Sequence, residues 1–370
     1  MTDLLVRHLW DATLRLTTGG KSMPRVALVA FGGYGRSELC PMSDIDLMFL
    51  HDDVGDAASR ENKAFTDCVT GVLYPLWDLG FKLGNVSRTV DYCIQLANSD
   101  MQSKTSMLEA RRVAGDESLF REFESRFQKE CVKGHAREYV QQRLADQQAR
   151  RLKHGNSPAL QEPNIKNGVG GLRDFQNLLW MAFFQERTRT LKDLQEREFM
   201  GPAERRQLEA AHDFLLRTRT ELHHVAMRPA DVLAANVQPA VASGLGYDER
   251  STRARVEHFM RDYYTHARNI YLITRTVEQR LALVPPGNAR RRPSRARGKV
   301  FDGFRVVDGQ LAPATRTVLR EDPSRFLRAF LHCQQRQVAL HPDLAQLMRQ
   351  QIDRKSTRLN SSHANISYAV

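Results

Sequence analysis

Asp44 and Asp46 stand one residue apart at the head of an apolar run, Asp44-Ile45-Asp46-Leu47-Met48-Phe49-Leu50. In a strand, side chains at i and i+2 leave the same face. The two carboxylates would therefore project together while Ile45 and Leu47 turn to the core. Carboxylates about 7 Å apart along one strand face repel unless a cation joins them. Mg²⁺ suits that position, because it binds through one or two carboxylates and completes its shell with water and substrate phosphates. Two such ions would clamp the attacking and leaving oxygens of an in-line displacement. Alone, Asp-x-Asp is as readily a polar strand start. The preceding segment changes that reading. A second apolar run, residues 25 to 31, ends in Gly32 and Gly33, and Tyr34-Gly35-Arg36-Ser37-Glu38 follows. Glycine lets the backbone approach a ligand closely and turn its N–H groups toward phosphate oxygens. Asp44 and Asp46 are thus candidate catalytic residues and metal ligands, and Gly32 and Gly33 a candidate phosphate seat. Arg36 would contact phosphate or fix the turn through Glu38. Ser43 would bond a phosphate or cap the turn before the strand.

The elements that must position these groups are legible from periodicity. A helix is predicted over 1–20, strands over 25–31 and 44–50, a helix over 59–79, a strand over 81–89, a helix over 91–104 and a strand over 108–113. That order makes residues 1–116 a compact α/β domain. Long charged and apolar helical segments follow at 117–153, 174–187, 202–227 and 251–283, a mostly helical second domain over 117–285. Within it, 155–173 is a loop rich in Gly, Asn and Pro, and loops of that length are often functional. Residues 286–299 read as an Arg/Pro-rich linker. Residues 300–353 read as a small hairpin plus helices at about 323–334 and 341–352, the start of a downstream region cut short. Residues 354–370 are polar and aperiodic, and read as a tail foreign to the rest.

The stretch GGYGRSEL…SDIDLMFL resembles the nucleotidyltransferase signature of the polymerase-beta-like superfamily, and more closely the bacterial PII uridylyltransferase family. A second segment, Glu162-Pro163-Asn164-Ile165-Lys166-Asn167-Gly168-Val169-Gly170-Gly171-Leu172-Arg173-Asp174, is similar to that family's EPN-K-GxGGLRD motif. The resemblance covers roughly residues 1 to 285. It implies a polymerase-beta-like α/β (α+β) nucleotidyltransferase domain followed by a mostly helical domain. It also implies a Mg²⁺-dependent enzyme that transfers UMP from UTP, or uses another NTP, to a tyrosine of a PII-type signalling protein. Lys166 and Arg173, with the glycines between them, would close over the triphosphate; the alternative is a structural cap in which Asp174 serves the following helix as an N-terminal acid. Superfamily members add a third carboxylate. Glu109 is the preferred candidate and Asp91 the other, against the reading that Glu109 merely pairs with Arg111 or Arg112. The family continues into HD hydrolase and ACT domains. Neither is visible, so uridylyl removal and glutamine sensing are not expected here. His212-Asp213 and His223-His224 lie on one amphipathic helix without the further partners a metal phosphohydrolase needs, and read as ordinary helix residues.

Composition sets the outer limits. The chain has 370 residues, 41% of them apolar, enough for a buried core. The net charge of +12 is concentrated: Arg290, Arg291, Arg292, Arg295, Arg297 and Lys299 crowd into the linker without an aromatic residue to stack on bases. A solvated linker explains them, and a nucleic-acid partner is not expected. No apolar stretch reaches the roughly 18 residues of a membrane span, and no signal-peptide pattern opens the chain. The five cysteines are odd in number and widely spaced, consistent with a reducing cytoplasm. A P-loop is missing, and the GGYGRSE turn lacks its lysine.

Overall fold

The structure, a computed structural model, describes residues 1–18, 24–53, 60–283, 299–307 and 309–356. The first elements are helix α1 (Thr2–Thr18), strand β1 (Val26–Ala30), the single turn α2 (Gly32–Gly35), β2 (Ile45–His51), α3 (Arg60–Asp78), β3 (Leu83–Thr89), α4 (Val90–Ser99), α5 (Met101–Leu108) and β4 (Arg111–Gly115). The strands form one sheet in the order β3-β2-β1-β4. β1 pairs antiparallel with β2 and β4, and β2 runs parallel to β3 with Asp46 opposite Gly84.

Every residue of β1 is buried, because the sheet is covered on both faces. Leu28, Ala30, Ile45, Leu47 and Phe49 face α1 and α3, packing on Val6, Trp10, Phe65, Val72 and Leu76. Ala27, Val29, Met48 and Leu50 face the other way, onto Cys93, Ile94, Phe123, Trp180, Phe183 and Phe184. Asp44 and Asp46 share the parity of Met48 and Leu50. They therefore extend the second face, toward the helices that follow the sheet domain.

Those helices are α6 (Glu117–Arg126), a π-helical turn (Phe127–Val132), α7 (Ala136–Lys153), α8 (Leu172–Glu186), α9 (Leu191–Glu196), α10 (Pro202–Ala226), α11 (Gln238–Gly244) and α12 (Thr252–Leu283). Their core gathers Leu178, Met181, Leu208, Leu215, Phe259, Ile270 and Val277. α8 serves two cores at once. Phe175, Leu178 and Met181 enter the helical one, while Trp180, Phe183 and Phe184 enter the one beneath the sheet. The last described part, β5 (Phe304–Val307), β6 (Gln310–Pro313), α13 (Val318–Glu321), α14 (Arg325–Arg336), β7 (Ala339–Leu340) and α15 (Pro342–Ser356), has its own core around Phe304, Leu311, Leu344 and Met348. Arg280 of α12 ties it down through Asp343 at 2.9 Å.

Three expectations are corrected. The single helix over 91–104 is two, because Asp100 ends α4 and caps α5, its Oδ2 accepting from the Ser103 amide at 2.6 Å. The segment 117–153 is broken by the π-helical turn and by Gly134 in the left-handed region. The strand expected over 108–113 begins only at Arg111, and Glu109 is the C-cap of α5. The linker's Arg290 to Arg297 and the tail beyond Ser356 lie outside the described residues. Among the described residues no helix is long and apolar enough to cross a membrane, and all five cysteines are free thiols.

Candidate functional site

Asp46 is the second residue of β2, and exposed Asp44 immediately precedes the strand. The half-buried Asp46 carboxylate lies in a cradle made by two glycines. A Cβ on Gly32, which has φ +58°, would come 2.8 Å from Oδ2, and one on Gly84 would come 2.5 Å from Oδ1. Burial raises the Asp46 carboxyl above its ordinary range, and the charge of Asp44 adds to the rise; Lys166 and Arg36 pull the other way. Among the described residues neither aspartate has a cation within ion-pairing distance, and no cluster of three or more His, Cys, Asp or Glu forms. Two carboxylates without a close counter-ion, one with its oxygens in a fitted cradle, make a hard, all-oxygen donor set. It suits a magnesium ion completed by water and phosphate.

The turn after β1 presents amides to the same place. Gly35 donates to the Phe31 carbonyl at 3.0 Å, Arg36 to Gly32 at 3.1 Å and Glu38 to Gly33 at 2.9 Å. As first residues of the turn, Gly32 and Gly33 have no carbonyl one helical turn behind them to accept their own N–H groups.

Of the two alternatives open in the sequence, the structure shows one for Arg36. It does fix the loop: Nε donates to Glu38 Oε2 at 2.7 Å and Nη1 to Glu109 Oε1 at 2.6 Å. Glu109 is only 6% exposed, and it accepts a second bond from Trp180 Nε1 at 2.7 Å. Its partner is therefore Arg36, not Arg111 or Arg112. Arg111 instead pairs with Asp3 and Arg112 with Glu117. Burial raises the Glu109 carboxyl, against the pull of Arg36. Asp91, the other candidate for a third carboxylate, is exposed and bridged to Arg126 at 2.5 Å.

The loop before α8 delivers two cations opposite the turn. Asn164 Oδ1 accepts from the Lys166 and Asn167 amides at 3.1 and 2.7 Å, and Arg173 N–H donates to the Lys166 carbonyl at 2.9 Å. One of the loop's glycines is needed for packing. Gly170, with φ +72°, lies so close to α12 that a Cβ would be 2.0 Å from the Ala267 carbonyl oxygen. Asp174 is fully buried and locks this arrangement, accepting from the Gly170 amide at 2.9 Å and from Arg150 and Arg151 at 2.5 and 3.0 Å. Lys166 is left in reach of Asp46, and Arg173 beside Arg36 and Glu109 with its guanidinium 5.2 Å from the Trp180 ring centre. Burial lowers the Lys166 ammonium; Arg219, Arg173 and Arg36 deepen the effect while Asp231 opposes it. Burial likewise brings Arg173 down to about 10, with Arg36 adjoining. Lys166, Arg173, Arg36 and Arg219 thus act on one another at this corner, among the carboxylates of Glu109 and Asp231.

Ser43 takes the turn-capping role. Its Oγ accepts from the Cys40 amide at 3.2 Å and from Arg219 Nη1 at 3.4 Å. Three contributors escaped sequence reading. Gly84 is visible only through strand register. His212 and Trp180 reach Glu38 and Glu109 across long separations, Trp180 and Glu109 for instance being 71 residues apart. His212 Nε2 lies 3.1 Å from Glu38 Oε1, so it is more than an ordinary helix residue, while His223 Nδ1 accepts from the Met42 amide at 3.2 Å. Asp213 pairs with Arg217 on the surface.

Comparison with known proteins places this geometry. Residues 138–277 match the family model described as GlnD PII-uridylyltransferase. The chain is similar to the bifunctional uridylyltransferase/uridylyl-removing enzyme of Phenylobacterium zucineum, 38% identical over 93% of the chain. Those of Rhodopseudomonas palustris and Azospirillum brasilense are 37% and 35% identical over 92% and 93% of it. The alignments take in 37%, 38% and 36% of those relatives' own lengths, so the chain spans little more than a third of them. The chain thus carries a match to the GlnD PII-uridylyltransferase model over residues 138–277 and is similar to bifunctional uridylyltransferase/uridylyl-removing enzymes along nearly its whole length.

Proposed function

We propose that the site is a Mg²⁺-dependent nucleotidyltransferase centre of the polymerase-beta-like type, transferring UMP from UTP to a tyrosine of a PII-type signalling protein in the cytoplasm. The observation that carries this reading is the Asp46 carboxylate seated between Gly32 and Gly84, next to Asp44, with no cation among the described residues within ion-pairing distance and Lys166 and Arg36 acting on it from farther off. Similarity to the GlnD PII-uridylyltransferase model and to bifunctional uridylyltransferase/uridylyl-removing enzymes supports the uridylyl donor and the PII acceptor.

Asp44 and Asp46 would hold the magnesium, which when bound neutralises triphosphate charge and aligns the reacting oxygens. The amides of Gly32 and Gly33 receive phosphate oxygens. Lys166 and Arg173 contribute positive charge for the triphosphate. The acceptor hydroxyl oxygen gives its proton to solvent and bonds to the α-phosphorus as the bond to the bridging oxygen breaks, and pyrophosphate leaves. Glu109 serves by holding Arg36, since its carboxylate is engaged by Arg36 and Trp180. Positioning and charge neutralisation supply the acceleration, as in other phosphoryl transfers.

The test is to incubate the chain with PII protein, Mg²⁺ and each of the four nucleoside triphosphates in turn, then weigh the PII protein by mass spectrometry. A gain of one uridylyl group, with UTP only, is expected. A gain of AMP would overturn the donor, and no gain with any nucleotide would overturn the transfer.

A further inference from the structure

Arg36 sits in the turn of the sheet domain, yet the groups that aim it come from helices far along the chain. Its Nε and Nη1 are tied to Glu38 and Glu109 at 2.7 and 2.6 Å. Glu38 is held in turn by α10 and α8: its Oε1 lies 3.1 Å from His212 Nε2, and its Oε2 accepts from Gln176 Nε2 at 3.2 Å. Glu109 is held by Trp180 of α8. The His212 ring is itself fixed, stacked on Phe175 with centroids 4.0 Å apart and planes 13° from parallel. Burial works against the Glu38 charge, but His212 and Arg36 outweigh it and hold the carboxyl at about 2. A guanidinium is planar, so fixing Nε and Nη1 also fixes where Nη2 points. It points to the glycine turn: a Cβ on Gly33 would lie 3.8 Å from Nη2.

We infer that His212 is a positioning residue for nucleotide binding, acting through Glu38 to aim Arg36 Nη2 at the phosphate seat of Gly32 and Gly33. The helical region is then an integral part of the triphosphate site. This rests on the nucleotidyltransferase reading above and adds to it a residue that need not touch the nucleotide. A Glu38 freed from His212 keeps Arg36 and Gln176 but loses the contact that fixes its second oxygen. Arg36, still bonded to Glu109 and to a less firmly held Glu38, then presents Nη2 to the seat with less precision.

The test is steady-state kinetics of the full chain with UTP and PII protein. His212→Phe keeps a ring to stack on Phe175 and removes the nitrogen that meets Glu38. His212→Gln keeps a polar nitrogen that can approach Glu38 and loses the ring. With His212→Phe, the KM for UTP should rise about tenfold, in the range of substitutions that orient a binding group, with a smaller change in kcat. His212→Gln should recover most of the loss. In an Arg36→Ala background, His212→Phe should have no further effect, the mark of residues acting as one unit. Glu38→Gln should reproduce the same KM rise, and it serves if His212→Phe does not fold. Wild-type KM in the folded variants, or effects additive with Arg36→Ala, would overturn the inference. The Asp44→Asn, Asp46→Asn double variant separates the two claims. If it retains full transfer, the metal reading fails; if it is inactive while His212→Phe keeps the wild-type KM, only the positioning role fails.

Discussion

Asp46 concentrates the chemistry of the site in one side chain, and its environment sets its behaviour. Burial and Asp44 raise its pKa, so protons compete for it at higher pH than for an ordinary carboxylate. Metal-dependent transfer should fall as pH drops through that raised value, and Asp46→Asn should flatten this limb of the profile. Asp46→Asn should also cut transfer by about 10³-fold, the several kcal/mol of charge stabilisation from a metal converted at about 1.4 kcal/mol per factor of ten. Its stability should move the other way. Removing a charge that burial and Asp44 disfavour should leave the melting temperature at neutral pH, without divalent ions, equal to or above wild type. A variant both inactive and markedly less stable would contradict this. The aspartates and the glycine turn were legible because strand parity and glycine chemistry are local. Of the partners of Arg36, Glu38 was legible two residues on, but Glu109 was not, because it lies 73 residues away and meets Arg36 only through packing.

Strand β3 shows how an element, not a residue, completes the cradle. Its parallel pairing with β2 sets Gly84 beside Asp46. Gly84→Ala would place a methyl 2.5 Å from Oδ1 and turn the carboxylate away. Transfer should fall by at least about 100-fold with a stability loss near 1 kcal/mol, the ordinary size for one substitution. Thermal unfolding and the PII mass assay together check it, and normal activity would show that the cradle has slack. The main strands and long helices were legible because their apolar periods repeat several times. Helices α9 and α11, 6 and 7 residues long, complete too few turns for a period of 3.6 to be seen. The breaks at Asp100 and at the π-helical turn depend on caps and packing that periodicity does not encode.

For the whole molecule, α8 is the joint between sheet and helical core, and the buried polar groups behind it set a pH response. Glu278 of α12 accepts from Gln147 and Asn177 at 3.0 and 3.3 Å. Burial, with Asp174 adding, raises its carboxyl to about 7. A carboxyl raised on folding contributes stability that is full below its unfolded value, near 4.3, and is lost as pH rises through about 7. Glu278→Gln keeps the accepting oxygen and removes the titration. It should stabilise the fold at pH 8 relative to wild type, with the gain shrinking toward pH 5, as urea unfolding at the two pH values would report. A pH-independent difference would show that Glu278 does not titrate in this range. That the helices bear on the active turn was legible only in part. The motif carrying Lys166 and Arg173 stood out, but the fold alone shows that Asp174 and Gly170 anchor it to α7 and α12.

Binding of Mn²⁺, followed by its electron paramagnetic resonance in the presence of a UTP analogue that cannot be cleaved between the α- and β-phosphates, addresses the aspartate pair itself. Wild-type chain with the analogue should bind Mn²⁺ tightly. The Asp44→Asn, Asp46→Asn double variant, shown to be folded by its thermal transition, should bind none above the level of the analogue alone. Undiminished Mn²⁺ binding by the folded double variant would contradict the assignment of the metal to Asp44 and Asp46.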